Sequence, residues 1–280
     1  MHWFIASILA GFFFAASRVV SRAVLRKAGN PLAFTAIHDF ISGLALVPFF
    51  FIGFSLPDQP ITWLYFIGVV IFLFLTDWFA FSALKLIDVS LYQIVNQVRH
   101  VLILVGGLLI FSENITLIKI ISVALIIIGV FIALYEGSKL IFNRGIAYSV
   151  FSSVFAVVGF LLSKLVVEDF AVVPAASFEL MGIGLLSFIF LGMRVSKVKT
   201  EISINKWGLV LAGVLFAGFE VLLFTGLQAG EASKVIPVTQ SSLIFAVLAG
   251  IMFLNERSNL VQKSLGVLIV GAGIVLMYAV

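Results

Sequence analysis

No cysteine occurs anywhere in the chain. That removes disulfides, thiolate nucleophiles and cysteine-ligated metals at once. Charge is nearly as scarce: Asp, Glu, Lys and Arg together make up 11% of residues, against about a quarter in an ordinary soluble domain. The three histidines, His2, His38 and His100, are scattered. With no acid-rich cluster either, the metal site of a membrane-embedded transferase has no visible ligands. No phosphate-binding glycine loop is present, so ATP hydrolysis on this chain lacks its machinery. The basic residues stand singly beside apolar runs, and the net charge of +4 gives no reason to expect nucleic acid. No cofactor is expected.

What the chain has is hydrocarbon. Of its 280 residues 62% are hydrophobic, and the mean hydropathy is +1.25. A helix crossing a bilayer needs ~20 apolar residues, and such runs recur almost end to end. They are continuously apolar, as in "VALIIIGVFIALY", with none of the period-2 alternation of a membrane β-barrel. Breaks at Gly, Pro, Asn and charged residues divide the sequence into ten spans, roughly 2–25, 34–53, 61–83, 89–111, 115–136, 144–164, 172–193, 207–227, 234–254 and 261–279. The opening "HWFIASILAGFFFAASRVV" has neither a basic leader nor a cleavage site, and reads as a retained first span. The expectation is an all-α, multi-pass integral membrane protein, placed in a prokaryotic inner (plasma) membrane.

The two halves of the chain are related. A shift of 143 residues lays 81–135 on 224–278 without a gap and matches scarce residue types: Ser90 with Ser233, Gln97 with Gln240, Glu113 with Glu256, Tyr135 with Tyr278. Upstream, Asp77 falls on Glu220 and Pro31 on Pro174, and after a one-residue gap Ser21-Arg22 falls on Ser163-Lys164. The unit is five spans, occurring at 1–137 and 144–280. Five is odd, so the second copy must cross in the opposite sense, an inverted repeat of the kind secondary transporters use to expose a midplane site to each side in turn.

Two stretches carry a resemblance. They are "GGLLIFSENITLIKIISVALIIIGVFIALY" and "AGIMFLNERSNLVQKSLGVLIVGAGIVLMY", each a small-residue pair, an apolar stretch, a glutamate after the span and a small-residue-rich helix. With two five-span units in about this length, the chain resembles the drug/metabolite transporter superfamily in its EamA-type ten-helix form. The second stretch, with Glu256, Gln262, Gly266 and Gly271, is the closer match; the first, Ile121 to Gly129, has fewer glycines. These are helix-packing motifs, informative on fold and nearly silent on substrate. The resemblance implies a secondary transporter, usually an exporter, of amino acids or similar amphiphilic metabolites. A lipid or lipid-linked-sugar flippase of related fold is the alternative, and an integral-membrane enzyme a remote one. The expected partners are a small-molecule substrate, membrane lipid and, as the candidate coupling ion, protons, with the chain a monomer or homodimer.

Lys and Arg gather in cytoplasmic loops. Twelve flank the odd-numbered connections and three (Lys119, Lys164, Lys234) the even ones. This count puts both termini outside, whereas the resemblance implies termini inside.

A charge at the bilayer centre costs at least ~2.5–3.5 kcal/mol, so each intramembrane charge should face a partner or a wet cavity. Within the fourth span Gln93, Gln97 and His100 fall at i, i+4 and i+7 with Asn96 beside them, one polar stripe with Arg99 at its edge. The candidate binding residues are Tyr92, Asn96, Gln97, Arg99, His100 and, in the second copy, Gln240. The candidate coupling or ion-pair residues are His38, Asp39, Asp77, Glu179 and Glu220. Helical rise puts Asp77 ~9 Å and Arg99 ~15 Å below their shared connection, and the expected ion pair is Asp77 with Arg99.

Overall fold

The computed structural model describes residues 2–26, 29–99, 102–103, 105–106, 116–133, 135–136, 139–140, 142–239, 241–255 and 260–278. Among the described residues the regular structure is helical apart from two-residue strands at Tyr135–Glu136 and Lys139–Leu140, which pair antiparallel in one connection. The helices are α1 (Trp3–Leu25), α2 (Pro31–Leu46, drawn on into a 3₁₀ turn to Ile52), α3 (Pro60–Leu86), α4 (Val89–Val95, followed by a 3₁₀ turn Asn96–Val98), α5 (Leu117–Ala133), α6 (Arg144–Val166), α7 (Val172–Phe190), α8 (Val195–Ala229), α9 (Ala232–Thr239), α10 (Ser242–Phe253) and α11 (Leu260–Tyr278). Six of these segments, α1, α2 with its 3₁₀ turn, α3, α6, α7 and α8, are long and apolar enough to cross a bilayer.

The starts of these helices follow local rules. Pro31 and Pro60 take the first helical position, where the missing N–H is no loss. Asn30 and Asn143 cap α2 and α6, each Oδ1 accepting from a backbone N–H three residues on, at 3.1 Å. In α8 the backbone leaves helical geometry at Asn205, whose Oδ1 accepts from Gly208 N at 3.0 Å. A short piece from Val195 therefore runs before the bend, and the spanning part begins at Lys206, next to the expected start at 207.

The expected continuous fourth and ninth spans are interrupted. Helix α4 gives way to the 3₁₀ turn Asn96–Val98, and between α9 and α10 Ser241 sits in a turn, its N–H donating to Val238 O at 3.0 Å. Under the 143-residue shift these are the same place in both halves. Side chains satisfy backbone carbonyls there: Gln97 Nε2 donates to Gln93 O at 2.8 Å and Thr239 Oγ1 to Ile236 O at 2.6 Å. Such bonds compete with the helical ladder, which is why amide and hydroxyl side chains loosen it.

The packing pairs helices across the halves: α1 with α8, α3 with α6, α2 with α7, α4 with α10, and α5 with α11. Exchanging the two copies turns this list into itself. Close approach rests on small residues. A Cβ on Gly43 of α2 would lie 2.6 Å from Ser177 O of α7, and Ser177 Oγ donates to Gly43 O at 2.8 Å. Large apolar side chains such as Phe51, Leu64 and Leu268 point outward, where acyl chains solvate them.

The odd-numbered connections meet at one face. Arg26 Nη1 donates to Leu254 O at 3.2 Å, Glu201 Oε2 accepts from Asn30 N at 2.8 Å, and Lys263 Nζ reaches Asp88 Oδ2 at 2.9 Å. At the other face Asp169 Oδ2 accepts from Gln59 N at 3.1 Å and from Thr62 Oγ1 at 2.9 Å.

Candidate functional site

A cavity of about 20 Å³ lies where α1, α3, α4, α6, α7 and α8 converge. Helical spacing delivers its lining in groups: Phe14 and Arg18 from α1; Leu73, Thr76 and Asp77 from α3; Tyr92, Asn96 and Arg99 from α4 and the turn after it; Phe216, Phe219 and Glu220 from α8. Ser152, Phe160 and Glu179 complete the wall. The α3 and α8 groups are mates under the 143-residue shift, position for position. The volume admits a water or two, so the walls must part to hold a metabolite.

Arg18 is the centre of the charge arrangement. Its Nη2 lies 2.6 Å from Asp77 Oδ1, and both side chains are at most 5% exposed. The guanidinium carbon also sits 4.8, 4.7 and 4.9 Å from the ring centroids of Phe14, Phe81 and Phe216. Delocalised charge against ring faces is the setting in which arginine tolerates burial. Arg99, 2% exposed, lies 5.6 Å from the centroid of Phe160. Glu179 and Glu220 adjoin across the cavity, neither more than 2% exposed. Behind Phe81 and Phe216, fully buried His38 holds Asp39, Nδ1 to Oδ1 2.5 Å, with Ser17 Oγ 3.4 Å from its Nε2. That dyad does not line the cavity.

Two expectations are corrected here. Asp77 pairs with Arg18 rather than with Arg99, because α1 turns Arg18 onto α3 and helical rise alone carries no azimuth. The face of α4 that meets the cavity is Tyr92, Asn96 and Arg99, at i, i+4 and i+7, not the Gln93–Gln97 stripe. Gln97 is buried but spends its amide on Gln93 O, while Asn96 Oδ1 accepts from Ser153 Oγ at 2.6 Å. His100 and Gln240 lie outside the described residues. Of the carboxyl groups, Asp77, Glu179 and Glu220 come together, with Asp39 one ring layer away. Sequence reasoning did not place Arg18 in the site, nor Leu73, Thr76, Ser152 and the rings of Phe14, Phe160, Phe216 and Phe219. The readable signal for Arg18 was the small and polar stripe of α1, Ala10, Ser17, Arg18 and Ser21, at helical spacing.

A buried, mixed-charge cavity between two pseudo-equivalent halves agrees with what the whole sequence matches. The profile of the EamA-like transporter family fits residues 1–135 and again 143–279. The chain belongs to the EamA-like transporter family. It is therefore a multi-pass membrane transporter of the drug/metabolite type. A crystal structure titled only "Crystal structure of protein" matches this EamA-like chain with a TM-score of 0.71 and 15% identity, over 97% of each chain; at that identity the likeness speaks for the fold alone. No curated protein matches.

Proposed function

We propose that this EamA-like protein is a secondary active transporter that exports small zwitterionic or amphiphilic metabolites, such as amino acids, by alternating access. Its five-span halves are inverted repeats, and the cavity between them is the substrate site. The observation that carries this reading is the cavity's composition. Arginine and paired carboxyl groups face one small volume bounded by phenyl rings, so a ligand with a carboxylate, an ammonium and an apolar side chain would meet a partner for each. Arg99, which lines the cavity beside the Phe160 ring, is the group for the substrate carboxylate. Glu179 and Glu220, buried on α7 and α8 at the cavity wall, are the carboxyl groups that meet the substrate's ammonium and release a proton in exchange. That exchange is the coupling step.

Uptake into proteoliposomes tests this with a panel of radiolabelled amino acids under an imposed proton gradient. The expected result is gradient-dependent accumulation of at least one of them, lowered about tenfold or more by Arg99→Gln and uncoupled from the gradient by Glu220→Gln. Accumulation that both folded variants leave untouched would refute the site. No accumulation across the panel would refute the substrate class.

A further inference from the structure

The repeat places equivalent basic groups at the two ends of the bundle, and the structure uses them differently. At the face of the odd connections, Arg22 bonds Leu84 O at the end of α3. At the opposite face its mate Lys164 bonds Leu227 O, the mate of Leu84, at 2.7 Å. The next member differs. Asp88, just beyond α3, lies 3.7 Å from Arg22 and 2.9 Å from Lys263 at the start of α11, which ties three elements into one network. Its mate Glu231 reaches Lys234 of its own turn at 3.5 Å, with a side chain 55% exposed, and makes no ion pair with Lys164.

The surroundings follow the same division. Beside the network, Ile87 is 5% exposed and packs on Gly145, where an added Cβ would sit 2.5 Å from Ile87 Cγ2. Around Glu231 there is instead a groove of about 640 Å³ lined by Trp3, Lys164, Gln228, Ala229 and Lys234 among others. The network at one face is closed over packed side chains; the equivalent site at the other is an open groove.

We propose that these are two mirror-related ion locks that gate the central cavity in turn. Arg22–Asp88–Lys263 is the closed lock here, and Lys164–Glu231 forms when the first one breaks. The proposal rests on the alternating-access reading above and adds the groups that hold each end. Breaking Asp88 away from Arg22 and Lys263 frees α3 and α11 to separate. Closing the far groove brings Glu231 to Lys164 and recovers part of the lost charge pairing, so neither end opens while the other is open.

Thiol labelling tests it without a substrate, because the chain has no cysteine of its own. Ile87→Cys reports on the locked face and Ala229→Cys on the open groove, each in nanodiscs with a charged methanethiosulfonate reagent. In the parent, Ala229→Cys should react fast and Ile87→Cys slowly. Asp88→Asn should raise the Ile87→Cys rate about tenfold and lower the Ala229→Cys rate in step. Lys263→Gln should do the same to a smaller degree, and it decides the matter if Asp88→Asn does not fold. Adding Glu231→Gln to Asp88→Asn should return both rates toward the parent, an effect across the bundle that a local staple would not give. Faster labelling at Ile87→Cys with Ala229→Cys unchanged, or no change at either position, overturns the proposal. Amino-acid uptake that survives such a result leaves the transport reading standing; intact reciprocity without uptake refutes the substrate and not the locks.

Discussion

Separating Arg18 from Asp77 should be among the costliest single changes in the protein, and the two ways of doing it should differ. The pair is 2.6 Å apart and its side chains are 2% and 5% exposed. Removing one partner of such a pair leaves the other charge buried and uncompensated, which costs ~3–5 kcal/mol. Arg18→Met does this to Asp77. Asp77→Asn leaves the guanidinium against three phenyl rings at 4.7 to 4.9 Å. Each ring contact is worth roughly 0.5–2 kcal/mol, so this variant should be milder by about 2 kcal/mol. The double variant removes both charges and should fall short of the summed single effects by at least ~2 kcal/mol. Equilibrium unfolding in mixed micelles, followed by tryptophan fluorescence, measures all three. Additivity within ~0.5 kcal/mol, or an Asp77→Asn variant as unstable as Arg18→Met, would mean that the pair is not what holds α1 to α3.

Two further outcomes follow from the packing and from a surface carboxylate. Gly43→Val should force α2 off α7 at the point where a Cβ would meet Ser177 O at 2.6 Å, costing ~1–3 kcal/mol in the same unfolding assay; an unaltered midpoint would refute the close approach. The bonds from Gln59 N and the Thr62 hydroxyl hold the Asp169 carboxyl below its ordinary 3.8. Its stabilisation is thus present above 3.8 and fades as pH falls through the lower folded value. Asp169→Asn should lower the unfolding midpoint near pH 7 and lose that deficit under strong acid, and a deficit constant across pH would contradict it.

How much of this could be read from the sequence depends on which coordinate of a helix is asked for. Position along the axis was legible. The ends of α1, α3, α6 and the spanning part of α8 fall within a few residues of expectation, because hydrocarbon thickness and Pro or Asn caps set them. Azimuth was not. Arg18 lies seven residues before the end of α1, Asp77 nine before the end of α3, and Arg99 ten after the start of α4. At 1.5 Å per residue all three fall within ~5 Å of one depth. Depth could not choose Arg18 over Arg99; only the direction in which α1 turns its polar stripe does. The same coordinate misled the reading of α4. A stripe of amides looks like a wet face on a helical wheel, but once the helix tightens at Asn96 the amide of Gln97 folds back on its own backbone. The 3₁₀ turns themselves carry no period that a pattern of apolar residues would register.

The placement of Arg18 also resolves a difficulty that duplication creates. Helices related by an exchange of halves bring equivalent positions together near the axis, so an acid at Asp77 implies an acid at Glu220 close by. Two carboxylates and no cation in a dry cavity would be prohibitively costly. The chain escapes by breaking the symmetry one helix away. Arg18 stands in the first copy where Phe160 stands in the second, and Arg99 where Ser242 stands. One acid is thereby neutralised within the protein, and the other is left facing Glu179. The cavity thus acquires charges of both signs, with both cations, Arg18 and Arg99, supplied by the first copy. The backbone keeps the equivalence of the two halves, while the asymmetry resides in a few side chains that line the cavity.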